Sequence, residues 1–274
     1  LPVIVMPYLM VKLGAEGYGY VGFSLSVVQY LIIIVDFGFN LSATKRIAVV
    51  ANDRIALSHV FWNVVAAKLL LMFLTTLALL ILVVCIPTFR LYGNAIIATY
   101  PMLLGSALTF IWFFQGIGRI RLFSIMNTVS KIALLPLIFV FIQSPDDYVV
   151  AALLQAVVFV STAIISNIYV ARQRLVEWIR PTWKLVKEEL HVSFPLFLSS
   201  ASTSVYTQFI VIVLGFYCTT EEIGKYASAE RIMRAMCFLL YVPLNQVFFP
   251  RISQLASQKN GEERRLFGQV RFLV

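Results

Sequence analysis

An all-α polytopic membrane protein is the fold class that the sequence predicts, and three observations predict it. Hydrophobic residues make up 60% of the 274 and charged residues 13%, against roughly 45–50% and about 25% in soluble domains. Long apolar stretches recur at about the ~20 residues needed to cross a hydrocarbon core ~30 Å thick. Lysine and arginine are crowded into alternate loops, as expected when short basic loops stay on the cytoplasmic side.

Taken in order, the apolar stretches predict eight spans, at 1–11, 18–41, 61–86, 95–116, 122–143, 148–171, 192–217 and 226–249. The first is truncated. Breaker-rich segments separate them: Gly14 to Gly19, Pro87 to Asn94, Gly116 to Arg121, Ser144 to Asp147 and Thr219 to Gly224. Pro7, Pro101, Pro136, Pro195 and Pro243 fall inside spans, where neighbouring helices can satisfy the freed carbonyls, so kinks rather than ends are expected. No cleavable signal peptide is recognisable. The chain opens inside one apolar run and closes on Phe272 to Val274, which begins another. It reads as a fragment cut at both ends.

The loops after spans two, four, six and eight carry fifteen basic residues, and the alternate loops only Lys12, Arg90 and Lys225. The basic loops are therefore expected in the cytoplasm, with the N-terminus on the same side. Topology accounts for the net charge of +9, which removes the reason to expect a nucleic-acid partner. Cys85, Cys218 and Cys237 lie in or at the edges of spans, and their odd number argues for buried free thiols over a disulfide framework. His59 and His191 stand alone, so neither a metal site nor a cofactor is expected.

Six charges remain within spans: Asp36, Lys68, Lys131, Glu230, Arg231 and Arg234. A charge at the bilayer centre costs ~2.5–3.5 kcal/mol on insertion scales, so such residues face a bundle interior or a wet cavity. Lys68 lies close enough to one end of its span to snorkel or to line a path. Lys131 is deeper and is expected to face inward. Asp36 needs either a partner, for which Lys131 reaches a suitable depth, or a proton. Glu230 and Arg234 are spaced i,i+4 and could pair, leaving a structural ion pair and a cavity lining as alternatives for Glu230, Arg231 and Arg234. Span seven concentrates polarity between Ser199 and Gln208. With Asn40, the residues Ser200, Thr203 and Gln208 complete the set of candidate path residues.

Sliding the chain on itself by 205 residues aligns Glu16 with Glu221, Gly19 with Gly224, Asn40 with Asn245, Arg46 with Arg251 and Ile47 with Ile252. The pairs fall at equivalent ends of spans two and eight. This predicts a six-helix repeat of one orientation, as in two-lobed transporters. The expected division is an N-terminal lobe with its connector at 1–190 and the start of a C-terminal lobe at 191–274, within an intact bundle of about twelve helices.

The segments PYLMVKLGAEGYGYVGF at 7–23, DFGFNLSATKRIA at 36–48, WFFQG at 112–116 and FPRIS at 249–253 resemble, in order and spacing, the Wzx-type O-antigen flippases. These belong to the polysaccharide transporter family of the multidrug/oligosaccharidyl-lipid/polysaccharide exporter superfamily. The resemblance implies a two-lobed bundle in the bacterial inner membrane. It implies translocation of undecaprenyl-diphosphate-linked oligosaccharide to the periplasmic leaflet by alternating access, for lipopolysaccharide biosynthesis. Membrane lipid, an O-antigen polymerase and a chain-length regulator are the implied partners. The alternatives are a same-fold exporter of another lipid-linked glycan or a drug, and a polymerase or ligase. The last would require a sizeable periplasmic loop, and the outer loops are short.

Overall fold

The computed structural model describes residues 2–204 and 208–237, and among these every regular element is helical. Five stretches are long and apolar enough to cross a membrane: Val5–Val49, Arg54–Cys85, Gly93–Gly116, Ile120–Phe141 and Pro145–Arg172. At 1.5 Å per residue the first would extend ~68 Å, about twice a hydrocarbon core, so it holds more than one crossing. Helix α1 (Pro2–Asp36) is in fact two helices joined at Gly14, whose φ of 68° no ordinary residue adopts easily. Tyr8 and Tyr20, six residues to either side, both pack at the connection near Gln143 to Tyr148: Tyr8 donates to the Ile142 carbonyl at 2.7 Å, and Tyr20 stacks on Tyr148.

Helix α2 (Phe39–Val49) continues after a two-residue break, and α3 (Arg54–Cys85) follows a tight turn. Asp53 caps α3, its Oδ1 accepting from the N–H groups of Ile55 and Ala56 at 3.0 Å. Four short helices come next: α4 (Pro87–Leu91), α5 (Gly93–Thr99), α6 (Pro101–Ala107) and α7 (Ile111–Gly116). Between α5 and α6, Tyr100 keeps right-handed helical angles. Pro101 therefore interrupts the hydrogen bonds of the span without ending it, as the sequence predicts.

Helices α8 (Ile120–Phe141) and α9 (Tyr148–Arg172) pack on each other, and α9 also packs on α5 and α6. A non-helical connection leads to α10 (Trp183–Ser204) and α11 (Ile210–Tyr217), and residues 220–237 form α12. The expected spans seven and eight are not among the five apolar stretches. Helix α10 carries Lys184, Lys187, Glu188 and Glu189 in its first turns and continues into serines; span seven also crosses residues 205–207, and span eight residues from 238 on, which lie outside those described. One compact unit runs Val3–Ser228, and a second begins at Ala229.

Large apolar side chains cover the outside of the first unit, among them Phe73, Val84 and Val140, each about two-thirds exposed. That surface suits hydrocarbon, not water. Inside lie two cores. One surrounds Tyr18, Phe23 and Tyr92; the other, at the end bearing the basic loops, gathers Phe39, Phe61, Trp112, Phe113 and Phe114. The thiols are free, as expected, yet Cys85 and Cys237 are exposed, not buried.

Two segments read as loops from their glycines are helical. Glu16 to Gly19 belongs to α1, and α12 starts at residue 220. Thr219 caps α12: Glu222 accepts from the Thr219 N–H at 2.9 Å and donates its own N–H to Thr219 Oγ1 at 3.3 Å. These hydrogen bonds hold the Glu222 carboxyl below its ordinary range.

Glycine is needed there for close approach. A Cβ on Gly19 would collide with the Thr220 carbonyl oxygen, and one on Gly224 with that of Ala15. Under the 205-residue offset, Thr220 is the counterpart of Ala15 and Gly224 that of Gly19. Each contact is thus the mirror of the other, the signature of a two-fold arrangement. Gly22 and its counterpart Ala227 face each other directly, a Cβ on Gly22 lying 2.9 Å from that of Ala227. The matched positions Asn245, Arg251 and Ile252 lie outside the described residues.

Gly224→Val is expected to destabilise the protein by about 1–3 kcal/mol through overpacking. Gly93→Ala, which adds a methyl where nothing lies within 4 Å, is expected to change little. Thermal unfolding of both variants in detergent checks the contrast.

Candidate functional site

The polar centre of the first unit is built on a broken helix. Helix α1 ends at Asp36, and α2 does not start until Phe39. Phe37 and Gly38 between them have φ of 43° and 78°. Placing a phenylalanine in the left-handed region costs ~1–2 kcal/mol, and the surroundings fix it there. Phe37 stacks on Phe197 of α10 with centroids 4.5 Å apart, and a Cβ on Gly38 would meet Leu196 and Phe197 inside 3 Å. Ser42 and Ser193 share a hydrogen bond of 2.6 Å just beyond the break.

Lys68 of α3 reaches the end of α1. Its Nζ lies 2.9 Å from Asp36 Oδ1 and donates to the Ser106 carbonyl at 3.0 Å. Asp36 closes α1 and Ser106 belongs to the last turn of α6, so two helix C-termini converge on one cation. Helix ends of that sign carry partial negative charge. A carboxylate at a C-terminus is disfavoured by the same field, which Lys68 offsets. Lys68 is only 1% exposed, whereas Asp36 keeps 25%. Asn40, one turn on, donates to Asp36 Oδ2 at 3.5 Å. Its own Oδ1 is buried without a hydrogen-bond partner.

The pairing expected between Asp36 and Lys131 is not formed. Lys131 sits on α8 beside, not within, the buried stripe of Phe123, Met126, Ser130, Leu134 and Ile138, and it is exposed. Lys68 does not snorkel either, because α3 starts at Arg54, two turns earlier than the apolar run suggests. The signal that identifies its partner is hairpin symmetry. Asp36 lies 16 residues before position 52 and Lys68 16 after it, and position 52 is in the turn between α2 and α3. Antiparallel helices place such residues level.

The remaining candidates are dispersed. Gln208 donates to Gln29 Oε1 at 2.7 Å, tying the end of span seven to α1. Ser200 and Thr203 are exposed on α10, the Ser200 carbonyl accepting from Ser204 and the Thr203 hydroxyl bonding the Ser199 carbonyl at 3.2 Å. In the second unit Glu230 and Arg234 form the i,i+4 pair, with Arg234 Nε 3.2 Å from Glu230 Oε1, and Arg231 is half-buried beside them. A cleft of about 650 Å³ opens at the far end of the first unit between Glu16, Tyr92, Thr220 and Glu221. It does not include the Asp36–Lys68 pair. Among the described residues no group of three or more metal-ligating side chains occurs.

A residue that the sequence did not single out is Glu189, on the first turns of α10 before its apolar part. It is 1% exposed and pairs with Arg46 of α2 at 2.8 Å. Burial outweighs Arg46 and pushes its carboxyl up to about 7, and its Oε2 has no partner.

A family described as "Polysaccharide biosynthesis protein" matches residues 1–256. Two curated proteins are similar at 30% identity, each named "Putative O-antigen transporter". The one from Escherichia coli (strain K12) aligns over 92% of this chain and 61% of its own length. The one from Shigella dysenteriae aligns over 100% and 68%. The chain therefore spans about two-thirds or less of the length of these relatives. No solved structure matches.

Removing either member of the buried pair is expected to cost about 3–5 kcal/mol. Asp36→Asn is expected to cost more than Lys68→Met, since Lys68 has no access to water, and the double variant to recover most of the loss. Unfolding midpoints of the three in one detergent check this. A carboxyl raised in the folded state stabilises below its unfolded range near 4.5 and loses that contribution as pH rises through about 7. Stability is therefore expected to fall between pH 5 and 8 more steeply in the parent than in Glu189→Gln, as read by thermal unfolding across that range.

Proposed function

Because the chain belongs to the polysaccharide biosynthesis protein family, we propose that it is part of a flippase. Its cargo is an undecaprenyl-diphosphate-linked O-antigen oligosaccharide, moved from the cytoplasmic to the periplasmic leaflet by alternating access between an N-terminal lobe at 1–190 and a C-terminal lobe that begins near 191. The basic loops face the cytoplasm of a bacterium, in its inner membrane, and the N-terminus lies on the same side. The role is that of a transporter and not of an enzyme. An O-antigen polymerase and a chain-length regulator receive the product.

The observation that carries this reading is the charged pair beside a broken helix inside an apolar bundle. Ionisable groups and irregular backbone are kept at such depth where they border a transport path. Asn40 Oδ1, buried and unpartnered, is an acceptor for a sugar hydroxyl, and leaving it unmet costs about 1–3 kcal/mol. Lys131 supplies a cation for the diphosphate, as do Arg231 and Arg234 in their own unit, while Lys68, sealed from water, holds Asp36 in place. Ser200, Thr203 and Gln208 offer hydrogen bonds to sugar, and Asp36 and Glu230 are the acidic groups of the path. Against a polymerase or ligase stand the short connections, among the described residues, at the end opposite the basic loops, such as residues 142–147 and 218–219.

In cells lacking their own O-unit flippase, the full-length parent protein is expected to restore surface O-antigen. Asp36→Ala and Lys131→Ala at matched expression are expected to lower it roughly tenfold, equivalent to ~1.4 kcal/mol. Failure of the correctly inserted parent to restore any would redirect the reading to another lipid-linked glycan or a drug. Full restoration by both variants would remove these residues from the path.

A further inference from the structure

The connection between α9 and α10 has almost no helix of its own, yet it is fastened. Helix α9 closes with the N–H of Arg174 on the Ala171 carbonyl at 3.1 Å and that of Leu175 on the Val170 carbonyl at 3.2 Å, with Arg174 at φ 47° where glycine is the usual residue. The chain then runs along the first turns of α3. Arg54 Nη2 donates to the Arg174 carbonyl at 2.5 Å, and its Nε lies 3.4 Å from Glu177 Oε1. Trp62 Nε1 donates to the Glu177 carbonyl at 2.8 Å, the Glu177 N–H to Ser58 Oγ at 2.9 Å, and the Thr182 N–H to Asn63 Oδ1 at 3.1 Å. The course of the strap's backbone is thereby fixed against α3.

What it displays is unusual for a surface in water. Trp178 is 70% exposed and Trp183 65%, although tryptophan is a highly buried residue on average. Trp178 meets Trp62 edge to face with centroids 4.3 Å apart, and Trp62 stands where the apolar run of α3 begins. Trp178 thus lies beside the start of the apolar run of α3, the level at which tryptophan is enriched in membrane proteins. Around the two tryptophans Arg174, Arg180, Lys184 and Lys187 are all exposed. Of the acids alongside them, Glu177 is engaged by Arg54 and Glu188 is exposed, so the cations outnumber the free acid.

We propose that this strap is a headgroup-level binding surface for anionic phospholipid, with indoles seated among the upper acyl chains and the flanking cations on the phosphates. Positive charge alone would serve topology; exposed tryptophans interleaved with it match a lipid, which offers phosphate and hydrocarbon within a few ångströms. Each basic residue near an anionic surface enriches such lipid roughly fivefold. The inference rests on the proposed orientation, in which this end faces the cytoplasmic leaflet.

The test uses the full-length parent in nanodiscs of phosphatidylcholine and phosphatidylglycerol, with bromine carried on the chains of one lipid or the other as an indole quencher. Subtracting the emission of Trp178→Phe/Trp183→Phe isolates these two indoles. Brominated phosphatidylglycerol is expected to quench them several-fold more than the same amount of brominated phosphatidylcholine. Arg174→Gln/Arg180→Gln/Lys184→Gln is expected to abolish the preference while leaving general quenching intact. Equal quenching by the two lipids in the parent, or none by either, would overturn the proposal. Because the readout involves no cargo, loss of export activity leaves it standing, and failure of the lipid preference leaves the transport reading standing.

Discussion

An ammonium group sealed from water dictates the middle of this molecule. Lys68 can be held there only if its charge is met from several directions, and three are provided: the Asp36 carboxylate, the Ser106 carbonyl, and the negative ends of the two helices those residues terminate. Each provision shapes the backbone. Helix α1 must stop at Asp36, which forces Phe37 and Gly38 into left-handed angles, and α6 must end within reach, which Pro101 assists by breaking the long span behind it. Helix α10 then fills the break with Phe197 and Leu196. The interruptions in two spans are two answers to one electrostatic demand.

The two ends of the first unit are held by different forces. At the basic end, aromatic rings interlock around Phe61 and Trp112, and polar bonds tie α10 and its connection to α2 and α3 through Arg46, Arg54, Ser58 and Asn63. At the other end the contacts between α1 and α12 are backbone against backbone, with glycine where a side chain would stand. The first kind of contact is specific and titratable, as Glu189 illustrates. The second depends on little beyond shape.

How much of this could be read beforehand follows from what hydropathy encodes. Apolar runs and the alternation of lysine and arginine are properties of single segments, so the helical class and the order of segments were legible. That Asp36 required a partner was also legible, since depth and side-chain length alone demand it. Which partner was not, because the edge of an apolar run does not mark the start of its helix, and α3 begins two turns before its run. Counting symmetrically about the turn near position 52 selects Lys68. The break at Phe37 and Gly38 is hidden because Phe37 and Phe39 carry the apolar run on past Asp36. The glycines at 17, 19 and 224 resemble turn residues because composition does not distinguish a glycine that bends the chain from one that admits a neighbour. The side-chain environment of Lys131 depends on packing that no run of residues specifies.

The reciprocal crossing of Gly19 and Gly224 carries a consequence for ancestry. A contact in which each half presents the same patch to the other is the contact that two separate copies of one half-length chain would make on dimerising. Joining the copies end to end would preserve it while freeing the two halves to diverge everywhere else, and the low identity at the 205-residue offset is what such freedom leaves behind. Positions at the crossing constrain one another: a side chain added at Gly19 would meet the backbone of the segment bearing Gly224, and one added at Gly224 the backbone of the segment bearing Gly19.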